Sequence, residues 1–447
     1  MVDGTCHLAD PRRRRPVENT AQRVEDVVGL AVDDLRGQVV VFEIDDEADD
    51  GFERLVEVGI GHFVGMVAGQ KNVVAARWTR EPRRSRPGHR GCYTDGPTTG
   101  KNTSIETPGT TMADPAIGLK LPTNGELPHE PVSKSAAAWG QHAESLGYDS
   151  IWMSEGWGVN AFVEMGSLAE RTDDIRLCTA VVNTFSRTPT VLAMAGAALQ
   201  QRSGGRAVLG VGPSHATLIE ELHNVPYERP IRRTHEAIEL VKELTGGGGN
   251  AGYSGELFEV EGYPAFEESV PVYNAALGPA NRRATGRVAD GWLPYIFPVS
   301  KLEDAFETIT ETARETGRDP DELEVTPQIL AAVTDDPEVA KDHVRSYVAR
   351  YIGGLPNYRN ALAGPFAAEA REIGEAWEAD GLEAAKAHVT DELLFEVGVA
   401  GTVEEARSQF RDVLETDTVD CPIVYVPRNL PDHIRERTIE ALSPRRL

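Results

Sequence analysis

The sequence predicts an α/β fold: a (β/α)8 TIM barrel with helical insertions over residues 112–447, preceded by a poorly ordered N-terminal extension over residues 1–111. Three observations predict it. Short apolar runs alternate with amphipathic stretches from Met112 onward, the pattern of parallel strands joined by crossover helices. The runs are almost wholly apolar, as strands covered on both faces are. An open doubly wound sheet shares this pattern. The Gly-rich dinucleotide fingerprint is absent after the first strand, however, where Leu121-Pro122-Thr123-Asn124-Gly125 stands instead, and this favours the closed barrel.

Ala116 to Leu121 reads as the first strand, and Ser133 to Leu146 as a helix closed by Gly147. Ile151 to Met153 is a short buried strand, followed by a helix over Ala161 to Arg171. Ile175 to Val182 and Arg206 to Val211 are strands, each followed by a helix, at Thr190 to Gln201 and Arg229 to Leu244. Strands at Val272 to Ala276 and Gly291 to Tyr295 alternate with helices at Asn281 to Ala289 and Leu302 to Gly317. Glu324 to Ala331 is the next strand, Asp336 to Tyr351 and Pro365 to Ala387 are helical, and Ile423 to Val426 is the last strand.

Charge divides the chain in two. Residues 1–111 hold 18 acids against 15 Lys plus Arg, whereas residues 112–447 hold 53 acids against 30, only six of them lysine, for a net of -23. The first segment opens on Pro11-Arg12-Arg13-Arg14-Arg15 and closes on an Arg/Pro/Gly/Thr-rich stretch, so Met112 is expected to be the natural start. A carboxylate-rich, lysine-poor surface suits a high-salt cytoplasm, where screening relieves self-repulsion. Stability and activity are therefore expected to survive molar salt and to fall at low ionic strength; full stability in dilute buffer contradicts this.

The same balance argues against a nucleic-acid partner, which requires a basic footprint. No run of 18 apolar residues exists, so no membrane partner is expected. The four cysteines, Cys6, Cys92, Cys178 and Cys421, form no CxxC pair, and no His, Cys or Asp set has metal-ligand spacing, so no metal is expected. Gly246 to Gly249 reads as a surface turn, and His223 and His235 as packing or surface residues.

Several segments together carry a resemblance: Ala143 to Trp152, Leu177 to Pro189 (LCTAVVNTFSRTP), Gly205 to Pro213, Tyr227-Glu228-Arg229-Pro230, Pro271 to Pro279, Ala289-Asp290-Gly291 and Val399 to Glu405. In this order and spacing the chain resembles the luciferase-like superfamily, and within it the branch that uses the deazaflavin coenzyme F420. Asp391 to Gly398 and Val182 to Pro189 are similar to segments of methylenetetrahydromethanopterin reductase. The resemblance implies an oxidoreductase that moves hydride between the deazaflavin and a small molecule, with a reduced one-carbon pterin or folate as the leading substrate. It also implies a homodimer or higher homo-oligomer.

Function in such barrels sits on loops at the C-terminal ends of strands. Four loops supply the expected site. Glu155 follows the second strand and is expected to contact cofactor or act in catalysis, beside Gly156 where relatives carry His. Thr179, Ala180, Val181 and Asn183 leave the third strand; the resemblance implies a non-prolyl cis peptide at Ala180–Val181 that backs the cofactor ring. Gly212, Pro213 and Ser214 let the backbone approach a ligand, and His215 stands where relatives carry an acid, a candidate proton donor or acceptor. Leu277, Gly278, Ala280 and Asn281 form a strand-to-helix turn that the resemblance assigns to the cofactor's phosphate or side chain. Two other readings stand beside this one: an FMN-dependent monooxygenase of the same fold, and a cofactor-free paralogue acting as a binding module. The aromatic, apolar segment Trp292 to Pro298 suits a flat substrate better than a sugar phosphate. Deleting residues 1–111 is expected to leave a folded, cofactor-binding protein; an insoluble or non-binding truncation makes the extension an integral domain.

Overall fold

Along each short apolar run, successive side chains point to opposite faces, and both faces find cover. Ile151, Met153 and Leu177 pack outward with helix residues such as Trp139, Leu168 and Leu192. Their neighbours Trp152 and Cys178 point the other way, into a cluster with Ala180, Val208, Tyr273, Leu293 and Ile423 that fills the barrel.

The computed structural model describes residues 115–122, 134–156, 158–362, 364–428 and 430–447, together with four three-residue strands nearer the N-terminus. The chain divides into two units, Met1–Glu106 and Thr107–Leu447. In the first, Val41–Glu43 pairs antiparallel with Arg54–Val56, and Met66–Ala68 with Lys71–Val73. The remaining expectations for residues 1–111 lie outside the described residues, as does Thr123-Asn124-Gly125.

In the second unit the barrel strands are β1 (Gly118–Lys120), β2 (Ser150–Met153), β3 (Arg176–Thr179), β4 (Ala207–Gly212), β5 (Val272–Asn274), β6 (Gly291–Trp292), β7 (Glu324–Val325 and Gln328–Val333) and β8 (Ile423–Tyr425). Each pairs parallel with the next, and β8 pairs with β1. Closure runs through the broken strand β7. Its first part pairs with β6 and its second with β8, and the Gln328 N–H donates to Pro294 O at 2.9 Å across the break. Pro327 lacks an N–H for the ladder, which accounts for the break.

Helices α1 (Ala136–Leu146), α2 (Ala161–Ala169), α3 (Pro189–Ser203), α4 (Pro230–Leu244), α5 (Pro279–Val288), α6 (Leu302–Glu315) and α7 (Pro337–Gly354) follow in order. Their ends are written in the sequence. Ser135, Asn160 and Thr188 cap the first three, and Gly147 closes α1 at φ 90°. The expected single helix over Pro365 to Ala387 is instead two, Ala367–Asp380 and Leu382–Lys386, divided at Gly381 with φ 79°. A strand at Gly398–Gly401 adds to β7, and an antiparallel hairpin, Asn250–Ser254 with Glu259–Pro264, follows the Gly246 to Gly249 run. That run is exposed and bends as expected of a turn.

At the N-terminal end of the barrel, Arg176 donates to Glu324 at 2.8 and 2.9 Å and to Asp149 at 2.9 Å, and Tyr273 donates its hydroxyl to Glu324. Burial pushes the Glu324 carboxyl up, but the Arg176 guanidinium and the Tyr273 hydroxyl outweigh it and hold it below its ordinary value of 4.5. A depressed carboxylate contributes stability that is present above the unfolded value and lost as pH falls through the folded one. Glu324→Gln is expected to cost about 2 kcal/mol at neutral pH, the size of a charge-assisted hydrogen bond lost from a half-buried pair. It is also expected to flatten the loss of stability below pH 4.5. Urea midpoints against pH check both, and an unchanged acid limb contradicts the assignment.

Candidate active site

The C-terminal mouth of the barrel is organised by the exit of β3. The chain leaves the regular ladder after Thr179, and the Ala180–Val181 peptide is cis, as expected. This segment is pinned from several directions. Ala180 O accepts from Ser154 Oγ at 2.6 Å and from the Lys120 ammonium. The Ala180 N–H donates to Met153 O at 2.7 Å, and Val181 O accepts from the Glu155 N–H at 3.1 Å. The Val181 side chain is half-buried and packs on the cluster that fills the barrel. The result is an apolar cap on the barrel core, half-buried at Val181 and pinned through its backbone by Ser154, Lys120, Met153 and Glu155.

The next two exits lie against it. A Cβ at Gly212 would sit 3.4 Å from Val181 Cγ2 and 3.2 Å from Ala275 Cβ, so the bare glycine is what lets the three exits converge. Pro213, Ser214 and His215 follow, half-buried, with Ser214 at φ 59° and its carbonyl held by the Tyr227 hydroxyl at 3.0 Å. His215 Nδ1 accepts from the Leu218 N–H at 3.3 Å. That bond assigns the neutral ring's proton to Nε2. Beyond β5, Leu277 is half-buried and Gly278, Pro279 and Ala280 are exposed, with nothing within 4 Å of a Cβ built on Gly278. Gly278 begins α5 with no side-chain cap.

Several expected contact residues have their polar atoms engaged within the protein. Thr179 is fully buried and donates its hydroxyl to Gly210 O at 2.9 Å. Asn183 accepts from the Phe185 and Ser186 N–H groups at 3.0 and 2.7 Å, which turns the chain toward α3. Asn281 Oδ1 accepts from Asn274 at 3.1 Å. Glu155 receives Arg187 through both oxygens, at 2.6 and 2.9 Å, and also the Ala161 N–H at 3.0 Å. Glu155 is thus an anchor for Arg187 and the start of α2, and His215 has separate partners. The Trp292 to Pro298 segment is buried throughout, with Trp292 Nε1 donating to Ala276 O at 2.7 Å. Trp292 to Ile296 are therefore core rather than the expected substrate surface, while Phe297 and Pro298 also line a cavity beside the β5 exit. Trp157 lies outside the described residues.

Lys120 was not singled out in the sequence. It is buried inside the barrel, donates to Gln328 Oε1 at 2.8 Å, and lies 4.8 Å from the Tyr425 ring centroid. Tyr295, Tyr347, Tyr351, Tyr358 and Tyr425 form a connected set of rings beside it. Burial pushes the Tyr295 and Tyr347 hydroxyls well above their ordinary range, so both remain neutral. The available signal was a lysine inside a strand otherwise read as buried. Among the described residues, no group of three or more His, Cys, Asp or Glu side chains is placed to hold a metal ion, and no helix is long and apolar enough to cross a membrane.

The luciferase-like monooxygenase family model matches residues 117–421. A Mycobacterium tuberculosis protein whose name describes it as a coenzyme F420-dependent oxidoreductase is 28% identical over 258 residues, 54% of this chain and 73% of the relative. The 5,10-methylenetetrahydromethanopterin reductase of Methanolobus tindarius is 27% identical over 293 residues, 65% of this chain and 89% of the relative. Among solved structures, the coenzyme F420-dependent tetrahydromethanopterin reductase of Methanopyrus kandleri superposes with a TM-score of 0.61 at 22% identity, covering 74% of this chain and 98% of that one. This likeness shows the barrel fold.

Proposed function

Because the chain belongs to the luciferase-like monooxygenase family, we propose that residues 112–447 form a coenzyme F420-dependent oxidoreductase acting on a small organic molecule, with a reduced one-carbon pterin or folate as its substrate class. The exit of β3 carries the reading: Ala180 and Val181 present an apolar backing whose carbonyls are held by Ser154, Glu155 and Lys120. The names of the two relatives support the choice of cofactor and substrate.

The residues at the mouth fit such a group. Gly278 leaves open space over its backbone where a phosphate-bearing side chain can approach, and Gly212 keeps Val181 and Ala275 close without a side chain of its own. When bound, the deazaflavin supplies hydride exchange at its carbon 5. In this reading Val181 backs the ring, and Gly212, Pro213 and Ser214 line its edge. Leu277, Gly278 and Ala280 hold the side chain. Thr179, Asn183 and Asn281 shape the mouth from within the protein, and Glu155 positions Arg187. His215 stands at the half-buried turn after β4 as the candidate proton donor or acceptor toward substrate.

Anaerobic mixing with reduced deazaflavin and a methylene-bearing tetrahydropterin or tetrahydrofolate tests the activity through recovery of the oxidised deazaflavin absorbance. Oxygen-dependent turnover of reduced FMN, without deazaflavin turnover, replaces this reading with the monooxygenase that the family's name describes. A homodimer belongs to the same proposal and is checked by sedimentation in molar salt.

A further inference from the structure

Burying an ammonium inside a barrel is costly, and a chain that does so must surround it with acceptors. Lys120 is such a residue, 5% exposed at the end of β1. It lies in register with Trp152, which points into the barrel, and with Tyr425 on β8. Its ammonium donates to Ala180 O and Gln328 Oε1, and lies 4.8 Å from the Tyr425 ring centroid and 5.9 Å from that of Tyr295. A carbonyl, an amide and two ring faces hold the charge without cancelling it.

The other groups packed around this point are accounted for. Tyr347 and Tyr351 come from α7, and Tyr358 from the helix Pro356–Ala361. Burial keeps the Tyr295 and Tyr347 hydroxyls neutral, and Arg428 opposes that shift at Tyr347 without overcoming it. Glu155, the carboxylate of the β2 exit, gives both oxygens to Arg187. His215, on the β4 exit, accepts from the Leu218 N–H. Lys120 therefore brings a fixed positive charge to the back of the Ala180–Val181 segment, in surroundings that screen it weakly.

Resting on the cofactor reading above, we propose that Lys120 is a specificity-determining residue whose charge favours the deazaflavin with its ring hydroxyl ionised. In that anion the negative charge spreads from the hydroxyl oxygen through the ring to the carbonyls of the pyrimidine half. A cation behind the ring attracts it along that whole path. FMN carries a methyl group in place of the hydroxyl and forms no such anion near neutral pH. The charge thus separates the two coenzymes by ionisation, which ring shape alone does not.

The test is titration of the full chain at fixed ionic strength with coenzyme F420 and with FMN across a pH series. Ring absorbance, which differs between hydroxyl and hydroxylate, follows the ionisation, and fluorescence follows the binding. In the native chain the bound hydroxyl is expected to titrate about one pH unit below that of the free coenzyme, a tenfold preference for the anion. A bound value at or above the free one overturns the assignment, and this comparison decides the matter if a variant fails to fold. Lys120→Gln removes the charge and keeps a donor for Ala180 O. It is expected to raise the bound value by about one unit and to weaken the coenzyme about tenfold above the titration. Affinity below the titration, and affinity for FMN, are expected to stay unchanged. Lys120→Arg, which keeps the charge, is expected to hold the native value. An equal loss at both ends of the titration, or an equal loss for FMN, makes Lys120 a packing residue and overturns the assignment. If the native chain binds no deazaflavin, the cofactor reading fails and this assignment with it; binding with an unshifted hydroxyl removes this assignment alone.

Discussion

Gly210→Ala is expected to cost at least about 3 kcal/mol, at or beyond the upper range for overpacking, and to leave little soluble protein. The Cβ it adds would lie 1.9 Å from Thr179 O, an atom of the neighbouring strand's backbone that no side-chain rotation can move. Strands β3 and β4 would have to separate, which breaks the bond from the Thr179 hydroxyl to Gly210 O and disturbs the exit that carries Ala180 and Val181. Soluble yield and urea midpoint in molar salt measure the effect. A variant within about 0.5 kcal/mol of the native chain, the range of an ordinary surface change, contradicts this account of the sheet.

Gly212→Val is expected to keep the fold and lose the ligand. The missing Cβ already borders Ala275 Cβ at 3.2 Å and Val181 Cγ2 at 3.4 Å, so two further methyl groups must displace Val181 toward the mouth. We expect deazaflavin affinity to fall about a hundredfold, or ~2.7 kcal/mol, with a much smaller change in urea midpoint. Affinity that survives while stability falls places Gly212 in the packing alone and removes Val181 from the site.

Local signals made most of the barrel legible. Ser135 and Gly147 delimit α1, Thr188 and Pro189 start α3, and each apolar run from Ile151 to Ile423 became a strand. The hairpin Asn250–Ser254 with Glu259–Pro264 was not legible, because its second strand is almost wholly exposed and carries no buried alternation. It is fixed instead by a distant residue: fully buried Glu236 on α4 accepts from the N–H groups of Glu256, Leu257 and Phe258 at 2.9, 2.8 and 3.2 Å.

The loops of the candidate site were found by position at strand exits, and their partners were not. Lys120 reaches Ala180, 60 residues away, and Gln328, 208 residues away, and only barrel closure brings these together. Glu155 kept its place at the mouth while Arg187 occupied both of its oxygens, a pairing across 32 residues that neither motif announces. The aromatic run at Trp292 to Pro298 shows the reverse limit, since composition alone does not distinguish a substrate wall from a core.

We propose that the mouth formed by the exits at Val181, Gly212 and Gly278 holds a deazaflavin. The most direct measurement is equilibrium titration of the full chain in molar salt with coenzyme F420 and, separately, with FMN, followed by fluorescence. The account predicts saturable binding of the deazaflavin, with FMN weaker by at least about tenfold, or ~1.4 kcal/mol. FMN binding more tightly than the deazaflavin, or neither binding, contradicts it.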